Sequence, residues 1–437
     1  MDDNGVMSER ESVKIGLLGC GNVGSAVARL VVEHDDLLAA RAGAPIEIAR
    51  VAVRDLAKVR DAPISPDRFT DDPESIVTDP EIAVIVEVMG GIEPAFTLVA
   101  TALKARKPVV TGNKELLASR GVELFEAAEE AGVDLLFEAS VGGGIPLIRP
   151  LRESLAGDRI TRVMGIVNGT TNYVLTRMTE EGTSFAEALA EAQALGYAEA
   201  DPTSDIDGVD AAAKAAIIAS IAFGAQVTVD EVHCEGISSV TADDIASAHD
   251  LGYVVKLLAV AEGADDEIAV RVHPAMVPEH HPLAAVRESF NALFLEGDAV
   301  GELMFYGRGA GGGPSASAVL GDLVDAVRNL APGGRGATIG KLARKRIRSI
   351  DDVVSQFYVS MDVADRPGVL AQISGAFGDH GVSILSMQQH GLGEEARLSF
   401  VTHRAREADV RATLRSLDDL EAVQTIRSVL RVMGEDE

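Results

Sequence analysis

Short apolar runs alternate with amphipathic stretches through the first part of the chain. The apolar runs fall at residues 13–19, 46–54, 82–91, 107–114 and 133–140. Strands of about five to nine residues that are separated by helices favour a parallel, doubly wound sheet. The pattern therefore predicts an α/β domain over residues 1–140, which residues from about 310 to 345 would complete.

The pattern changes twice after this segment. Residues 141–309 mix strands with Ala-rich helices, which predicts an α+β domain for substrate binding and dimerisation. The Gly-rich stretch 307–317 reads as a turn before a helix at 319–330. Residues 355–437 follow the order strand, helix, strand, strand, helix, strand, which is typical of a ferredoxin-like unit.

Composition narrows the class of protein. The 437 residues carry a formal net charge of −29, which repels phosphate backbones and argues against nucleic-acid binding. The two cysteines form neither a disulfide framework nor a metal-ligand spacing. The polar N-terminus lacks the features of a signal peptide, and no apolar run reaches membrane-spanning length. We therefore expect a cytoplasmic protein without a membrane partner.

The first candidate site is the sequence GLLGCGNVG at 16–24. It follows a predicted strand and opens a predicted helix, as in Rossmann-type dinucleotide-binding turns, where the helix N-terminus faces a pyrophosphate. The predicted cofactor-binding residues here are Gly19, Gly21, Asn22, Val23 and Gly24. The alternative is an ordinary turn between a strand and a helix.

The end of the second predicted strand selects between the two nicotinamide cofactors. Arg54 favours NADP(H), because a guanidinium pairs with the 2′-phosphate, whereas the neighbouring Asp55 keeps NAD(H) possible. Both charges could instead solvate the end of a strand.

A cluster of acids and one lysine forms the second candidate site. The acids within 196–210 are Glu199, Asp201, Asp205, Asp207 and Asp210. Lys214 follows Asp210 by four residues on an Ala-rich helix, so both lie on one face. A partly buried, paired lysine suits proton donation to a developing alkoxide. A structural salt bridge at a helix start, or a calcium loop without EF-hand spacing, is the alternative.

Two further features are weaker on position alone. Lys114, in TGNKELLA, follows a short strand at the edge of the sheet where such folds bind ligands, although its position alone favours a solvated surface lysine. The stretch FEASVGGGIP at 137–146 could present oxygen ligands to a hard cation or could serve as a glycine hinge.

These motifs occur together in one known family. The order of GLLGCGNVG, TGNKELLA, FEASVGGGIP, NGTTNYVL, GYAEADPTSDIDGVDAAAK and GRGAGGGPSAS resembles homoserine dehydrogenase over about residues 13–330. The tail, with ADRPGVLAQISGAFGDHGVSI, resembles an ACT domain, which longer bacterial homoserine dehydrogenases carry.

The resemblance implies roles for individual residues. Lys214 matches the catalytic lysine, and Lys114 matches a lysine beside the nicotinamide and substrate. Substrate-binding residues would be Glu199, Asp205, Tyr197 and Thr170, with Asp210 as the partner of the catalytic lysine. Gly196 and Gly312 would join the cofactor site. A Na⁺ or K⁺ site would use Glu138, Val141, Gly143 and Ile145, the last three through their carbonyls.

The implied enzyme interconverts L-aspartate 4-semialdehyde and L-homoserine in threonine, methionine and isoleucine biosynthesis. The resemblance also implies a homodimer or homotetramer and feedback by threonine. An amino acid would bind near Asp365 and Gly368, before a predicted helix, unless the tail serves assembly alone. Two rival hypotheses are aspartate-semialdehyde dehydrogenase, which needs a cysteine nucleophile, and a nucleotide- and amino-acid-binding regulator without turnover.

Overall fold

The computed structural model describes residues 11–264, 266–330, 334–391 and 395–434. The strands in these residues are β1 (Val13–Leu18), β2 (Ile46–Ala52), β3 (Phe69–Thr70), β4 (Val84–Glu87), β5 (Val109–Thr111), β6 (Leu135–Leu136), β7 (Ile160–Ile166), β8 (His233–Cys234), β9 (Tyr253–Ala264), β10 (Glu267–Pro278), β11 (Phe290–Gly297), β12 (Gly301–Arg308), β13 (Arg346–Ile347), β14 (Val354–Ala364), β15 (Ile384–Gly391), β16 (Glu395–Thr402), β17 (Ala405–Arg406) and β18 (Val423–Val432). The α-helices are α1 (Asn22–Glu33), α2 (Asp35–Ala42), α3 (Glu74–Thr78), α4 (Ala95–Lys104), α5 (Lys114–Ala131), α6 (Gly169–Glu181), α7 (Phe185–Ala194), α8 (Thr203–Ile206), α9 (Val209–Phe223), α10 (Ala242–Asp250), α11 (Gly312–Leu330), α12 (Val369–Asp379) and α13 (Glu407–Asp418).

The chain divides into two compact units. Unit 1 contains residues 1–160, 216–229 and 297–344, and unit 2 contains residues 161–215, 230–296 and 345–437. The tail from 355 therefore lies in the same unit as the acid-rich segment. The proposed domain boundaries at 140 and 309 stay predictions.

Unit 1 is built on a parallel sheet in the order β3-β2-β1-β4-β5-β6. This confirms the predicted doubly wound fold. One apolar cluster joins the buried strand residue Leu17 to Val27 of α1 and to Leu323 of α11. The helix α11 thus belongs to the core of unit 1 although it follows the strands by a long stretch of sequence.

Two local predictions in unit 1 were wrong. The strand expected over 133–140 is limited to β6, and a 3₁₀ turn occupies Glu138–Ser140. The turn expected over 307–317 is largely regular structure, because β12 ends at Arg308 and α11 begins at Gly312. Pro314 lies in the first turn of that helix, where a missing backbone N–H costs nothing.

Unit 2 contains a mixed sheet in the order β11-β7-β9-β10-β18-β14-β16-β15. The strands β9 and β10 form a long antiparallel hairpin, which pairs from Tyr253 with Pro278 to Ala264 with Glu267. The other edge of β10 receives three separate segments in parallel orientation. These are β13 at Glu267, β8 at Arg271 and β18 at Ala275.

The tail follows the predicted βαββαβ order, with β14, α12, β15, β16, α13 and β18. The four strands lie in the order β18-β14-β16-β15, as in a ferredoxin-like unit. Its last strand, β18, is also the strand that joins the edge of β10. Arg431 on β18 is buried and donates hydrogen bonds of 2.8 Å to Glu235 and to Glu407.

Candidate functional site

The acid–lysine cluster lies at the start of α9. Lys214 Nζ donates to Asp210 Oδ2 at 2.6 Å and to the carbonyl oxygen of Val167 at 2.7 Å. The two side chains are only 11% and 5% exposed, for the lysine and the aspartate respectively. The predicted i,i+4 contact on one helix face is confirmed. A buried ammonium beside a carboxylate can hold a proton at a defined atom.

The turn between β7 and α6 supplies the frame for this pair. Asn168 caps α6 by accepting the N–H of Thr171 at 2.9 Å. Its Nδ2 donates to Asp205 Oδ1 at 2.7 Å and to Asp210 Oδ2 at 2.8 Å. The sequence reasoning quoted the NGTTNYVL motif but missed this asparagine as a site residue. Its place between a strand and a helix marks it as an N-cap.

The other predicted substrate residues lie around this frame to different degrees. Thr170 Oγ1 donates to the carbonyl oxygen of Tyr197 at 2.7 Å, so these two are brought together. The Tyr197 ring packs on Tyr173 with the centroids 4.9 Å apart. Glu199 is exposed, and its backbone carbonyl accepts a hydrogen bond from Gln193. Gly196, predicted for the cofactor, lies in unit 2 with these residues.

A second buried lysine escaped the sequence reasoning. Lys256 on β9 is 2% exposed, and its Nζ donates to Asn172 Oδ1 at 3.1 Å and to the carbonyl oxygen of Val286. Burial lowers the pKa of Lys256 to about 8. Through Asn172 this lysine ties β9 to α6, the helix that follows the turn of Val167 and Asn168.

The glycine turn of unit 1 fits a dinucleotide. Gly19 has φ of +100°, and a Cβ there would lie 2.7 Å from the carbonyl oxygen of Val88. A Cβ on Gly24 would collide with the carbonyl oxygen of Gly19. Gly21 is the N-cap of α1 and has open space around it, and no side chain caps this helix. The first N–H groups of α1 can therefore face a pyrophosphate.

The remaining predicted cofactor residues surround the same turn or the second strand. Asn22 and Val23 are the first residues of α1. Gly312 packs against Asn22, since a Cβ on this glycine would lie 3.1 Å from the asparagine carbonyl oxygen. Arg54 is exposed two residues beyond the end of β2. The carboxylate of the adjacent Asp55 accepts the N–H of Ala57, within the same loop, at 2.8 Å.

Lys114 directly follows a buried polar network at the carboxyl ends of β4 and β5. It is the first residue of α5, and Asn113 caps this helix by accepting the N–H of Leu116. Glu87, which is fully buried, accepts hydrogen bonds from Thr111 at 2.6 Å and from Asn113 at 3.4 Å. Burial raises the pKa of Glu87. The sequence reasoning missed this glutamate because nothing in its pattern distinguishes it from a strand residue.

The glycine-rich loop after β6 wraps a carboxylate. Glu138 is buried, and its two oxygens accept the backbone N–H groups of Leu147, Ile148 and Arg149. Val141 is extended, and the N–H of Ile145 donates to the carbonyl oxygen of Gly142. Gly143 has a φ of +55°. The Glu138 side chain is thus already hydrogen-bonded, whichever ligands a cation would use.

Cys234 is a poor candidate for a nucleophile. Burial, Glu235 and Asp207 together raise the pKa of its thiol to about 11. Cys20 is buried within the glycine turn. These environments disfavour the aspartate-semialdehyde dehydrogenase hypothesis, because thiolate chemistry at neutral pH needs a lowered pKa.

Within residues 11–264, 266–330, 334–391 and 395–434, no helix has the length and apolar character needed to cross a membrane. The same ranges contain no group of three or more His, Cys, Asp or Glu side chains suited to holding a metal ion.

Family models match three consecutive parts of the chain. Residues 19–138 match the model described as the NAD-binding domain of homoserine dehydrogenase, and residues 146–324 match the model described as homoserine dehydrogenase. Residues 357–422 match the ACT domain.

Similar proteins cover nearly the whole chain. The homoserine dehydrogenase of Corynebacterium glutamicum is 48% identical over 426 residues, which is 96% of each chain. The Bacillus subtilis enzyme is 43% identical over 97% of this chain and 99% of its own. A crystal structure of a homoserine dehydrogenase from Thiobacillus denitrificans has a TM-score of 0.91 and 40% identity, and the match covers 97% of this chain and 98% of that one.

Proposed function

This chain belongs to the homoserine dehydrogenase family, and on that premise we propose that its acid–lysine cluster performs the proton transfer between L-aspartate 4-semialdehyde and L-homoserine. It is an NAD(P)-dependent oxidoreductase that acts on a CH–OH group. The observation that carries the proposal is the buried contact of 2.6 Å between Lys214 and Asp210.

The proposed proton transfer follows from this geometry. The bound nicotinamide supplies a hydride in the reducing direction. Lys214 donates its proton to the oxygen of the aldehyde as negative charge develops there, and Asp210 keeps the ammonium oriented. In the oxidising direction the neutral lysine accepts the hydroxyl proton. Lys114 would help to stabilise the alkoxide, a role that rests on the resemblance.

The amino group of the substrate gives the acids their proposed role. Asp205 is half-buried and Glu199 is exposed on the same acid-rich segment, so their carboxylates can receive an ammonium group. Thr170 and Tyr197 would line this pocket. The segment is held to the catalytic helix by Asn168, which contacts both Asp205 and Asp210.

We further propose that NADP(H) is preferred over NAD(H). Arg54 is exposed beyond β2, where a 2′-phosphate would lie, while Asp55 is engaged within its own loop. An archaeal homoserine dehydrogenase in complex with NADPH, with 28% identity and a TM-score of 0.62 over 72% of this chain, supports this preference. The glycine turn and Gly312 would complete the cofactor site in unit 1.

A monovalent cation site in the loop 138–145 is a separate proposal. Glu138 and the main-chain carbonyls of Val141, Gly143 and Ile145 would bind Na⁺ or K⁺. The Glu138 carboxylate also accepts three backbone N–H groups, which hold it within the loop. Gly142 and Gly143 have positive φ, which gives this loop backbone conformations that other residues rarely adopt and supports the proposal.

The tail is proposed to sense threonine, the end product of the implied pathway, which also leads to methionine and isoleucine. Gly368 is the N-cap of α12, with φ of +92° and no side chain capping the helix, so its first N–H groups can receive a carboxylate.

Assembly into a homo-oligomer is a separate proposal. The exposed apolar residues Leu385 and Met387 on β15 support it.

The proposed reaction is tested by turnover of the purified full chain. NADPH absorbance is followed with L-aspartate 4-semialdehyde, and NADPH formation with L-homoserine. Succinate semialdehyde is the matched control, because it carries the same aldehyde but no amino group. We expect rapid reduction of the first substrate and poor reduction of the control. Equal rates would remove the acids from substrate recognition, and no reduction of either would reject the proposed reaction.

A further inference from the structure

One side-chain amide contacts two acids of the acid–lysine cluster, and one of these acids contacts the lysine. Asn168 Nδ2 donates to Asp205 Oδ1 at 2.7 Å and to Asp210 Oδ2 at 2.8 Å. The same Oδ2 of Asp210 accepts a hydrogen bond from Lys214 Nζ at 2.6 Å. Asn168 is 4% exposed and Asp210 is 5% exposed. A side-chain amide has two N–H donors, so these two contacts use its full donating capacity.

The amide of Asn168 lies where it can hold two carboxylates that would otherwise repel each other. Two carboxylates held close together repel each other, and the repulsion is stronger out of water. A neutral group that donates one hydrogen bond to each can hold them without adding charge. The preceding residue, Val167, contributes the carbonyl that accepts the second hydrogen bond of Lys214. Consecutive residues of one turn thus contact the ammonium and its carboxylate partner.

We propose that Asn168 is a positioning residue, which fixes Asp210 under Lys214 and couples it to Asp205 in the substrate-binding segment. The inference rests on the proposed role of Lys214 in proton transfer. Asn168 would touch neither the substrate nor the cofactor. It would act by restricting the rotamer of Asp210, and through it the place of the lysine Nζ.

Asn168 has two roles, the bridge of hydrogen bonds to Asp205 and Asp210 and the N-cap of α6, so the test must distinguish the effects of losing each. Serine and aspartate are good N-cap residues, so either one can still accept the Thr171 N–H. Asn168→Ser leaves at most one donor for two acids and adds no charge. Asn168→Asp has no donor and adds a third carboxylate. Thr241→Ala is the matched control, since Thr241 caps α10 in the same unit by accepting the N–H of Asp244.

We measure kcat and KM in both directions and the melting temperature of each variant. Hydrogen bonds to charged groups contribute about 1.5–3 kcal/mol, so losing this bridge lowers kcat/KM for aspartate semialdehyde by about tenfold or more. Both kcat and KM change, because one acid partners the lysine and the other binds substrate. Thr241→Ala lowers the melting temperature but changes neither constant.

The split between kcat and KM adds a readout that the loss of a helix cap alone would not give. Asp210 contacts the lysine, and Asp205 lies in the proposed substrate-binding segment. Asn168→Asp adds a negative charge beside both acids, and like charges held close together repel each other. We therefore expect Asn168→Asp to lower kcat/KM more than Asn168→Ser does.

The outcomes distinguish this inference from the function on which it rests. Wild-type kcat and KM in Asn168→Ser, in an enzyme that still depends on Lys214, would overturn the positioning role alone. Full activity without Lys214 would reject the proposed proton transfer itself. Loss of the thermal transition in both Asn168 variants, with the control intact, would assign the residue to structure only and reject the inference.

Discussion

Replacing Lys214 by arginine separates charge from proton transfer. The lysine Nζ contacts Asp210 at 2.6 Å and the Val167 carbonyl at 2.7 Å, and a guanidinium can keep a cation beside both acceptors. Arginine does not release a proton in proteins. We therefore expect Lys214→Arg to lower kcat by about 10²–10⁴-fold, the range for losing a general acid. This corresponds to a barrier about 3–5 kcal/mol higher.

Lys214→Met tests how much the lysine contributes to stability by pairing with Asp210. It keeps much of the volume but leaves Asp210, only 5% exposed, without its cation. Removing one partner of a buried ion pair costs about 3–5 kcal/mol, and the remaining donor from Asn168 places this variant at the lower end. The double variant Lys214→Met/Asp210→Asn removes both charges, so we expect it to unfold at a higher temperature than Lys214→Met alone.

The assay follows NADPH absorbance with aspartate semialdehyde, together with thermal unfolding of each variant. The KM for NADPH should stay within about twofold of wild type, because the glycine turn is untouched. Near-wild-type kcat in Lys214→Arg would refute proton donation by this lysine. A double variant less stable than Lys214→Met would refute the assignment of the loss to an uncompensated carboxylate.

Four further outcomes are expected. Arg54→Ala raises the KM for NADPH far more than that for NADH, and equal increases would mean that this arginine only solvates the end of a strand. Activity depends on Na⁺ or K⁺ through the loop 138–145, and a well-folded enzyme indifferent to both would favour a glycine hinge. Burial opposes ionisation of Glu262, but Arg271 and Arg162 more than offset it and lower its pKa to about 2. Its contribution to stability is therefore complete above about pH 4.5 and is lost as the pH falls towards 2. In Glu262→Gln the unfolding midpoint should depend less on pH within that window, and a pH dependence equal to that of the wild type would contradict this. Threonine inhibits the full chain, and Asp365→Ala weakens the inhibition by about tenfold with kcat unchanged; inhibition of equal strength in the variant would move the effector elsewhere.

The sheet and the glycine turn of unit 1 could be predicted from local sequence patterns. The strand–turn–helix around GLLGCGNVG requires glycine where the backbone has φ of +100° and where a helix packs against the turn. Such requirements are written in consecutive residues and can be recognised without a structure. The same holds for Asp210 and Lys214, whose spacing of four defines one helix face.

Contacts between distant segments could not be predicted in the same way. Asn168 meets Asp205 and Asp210 only because the β7–α6 turn folds onto another helix start. Glu87 reads as an ordinary strand residue, and its role depends on Thr111 and Asn113 from the next strand and its turn. Hydrogen bonds of this kind depend on which strand ends become neighbours, and the periodicity of one segment does not encode that.

The edge of β10 has a consequence for the order of events during synthesis. Three short segments cover it, and the one at Ala275 is β18, whose Arg431 also pairs with Glu235. A nascent chain that has produced both strands of the β9–β10 hairpin must wait for more than a hundred further residues before that edge is closed. Until then the edge of an apolar strand with unpaired backbone groups faces solvent, which is a hazard for aggregation. Variants that delay or weaken the pairing of β18 with β10 should therefore lower the yield of folded enzyme, even when every residue that contacts substrate is intact.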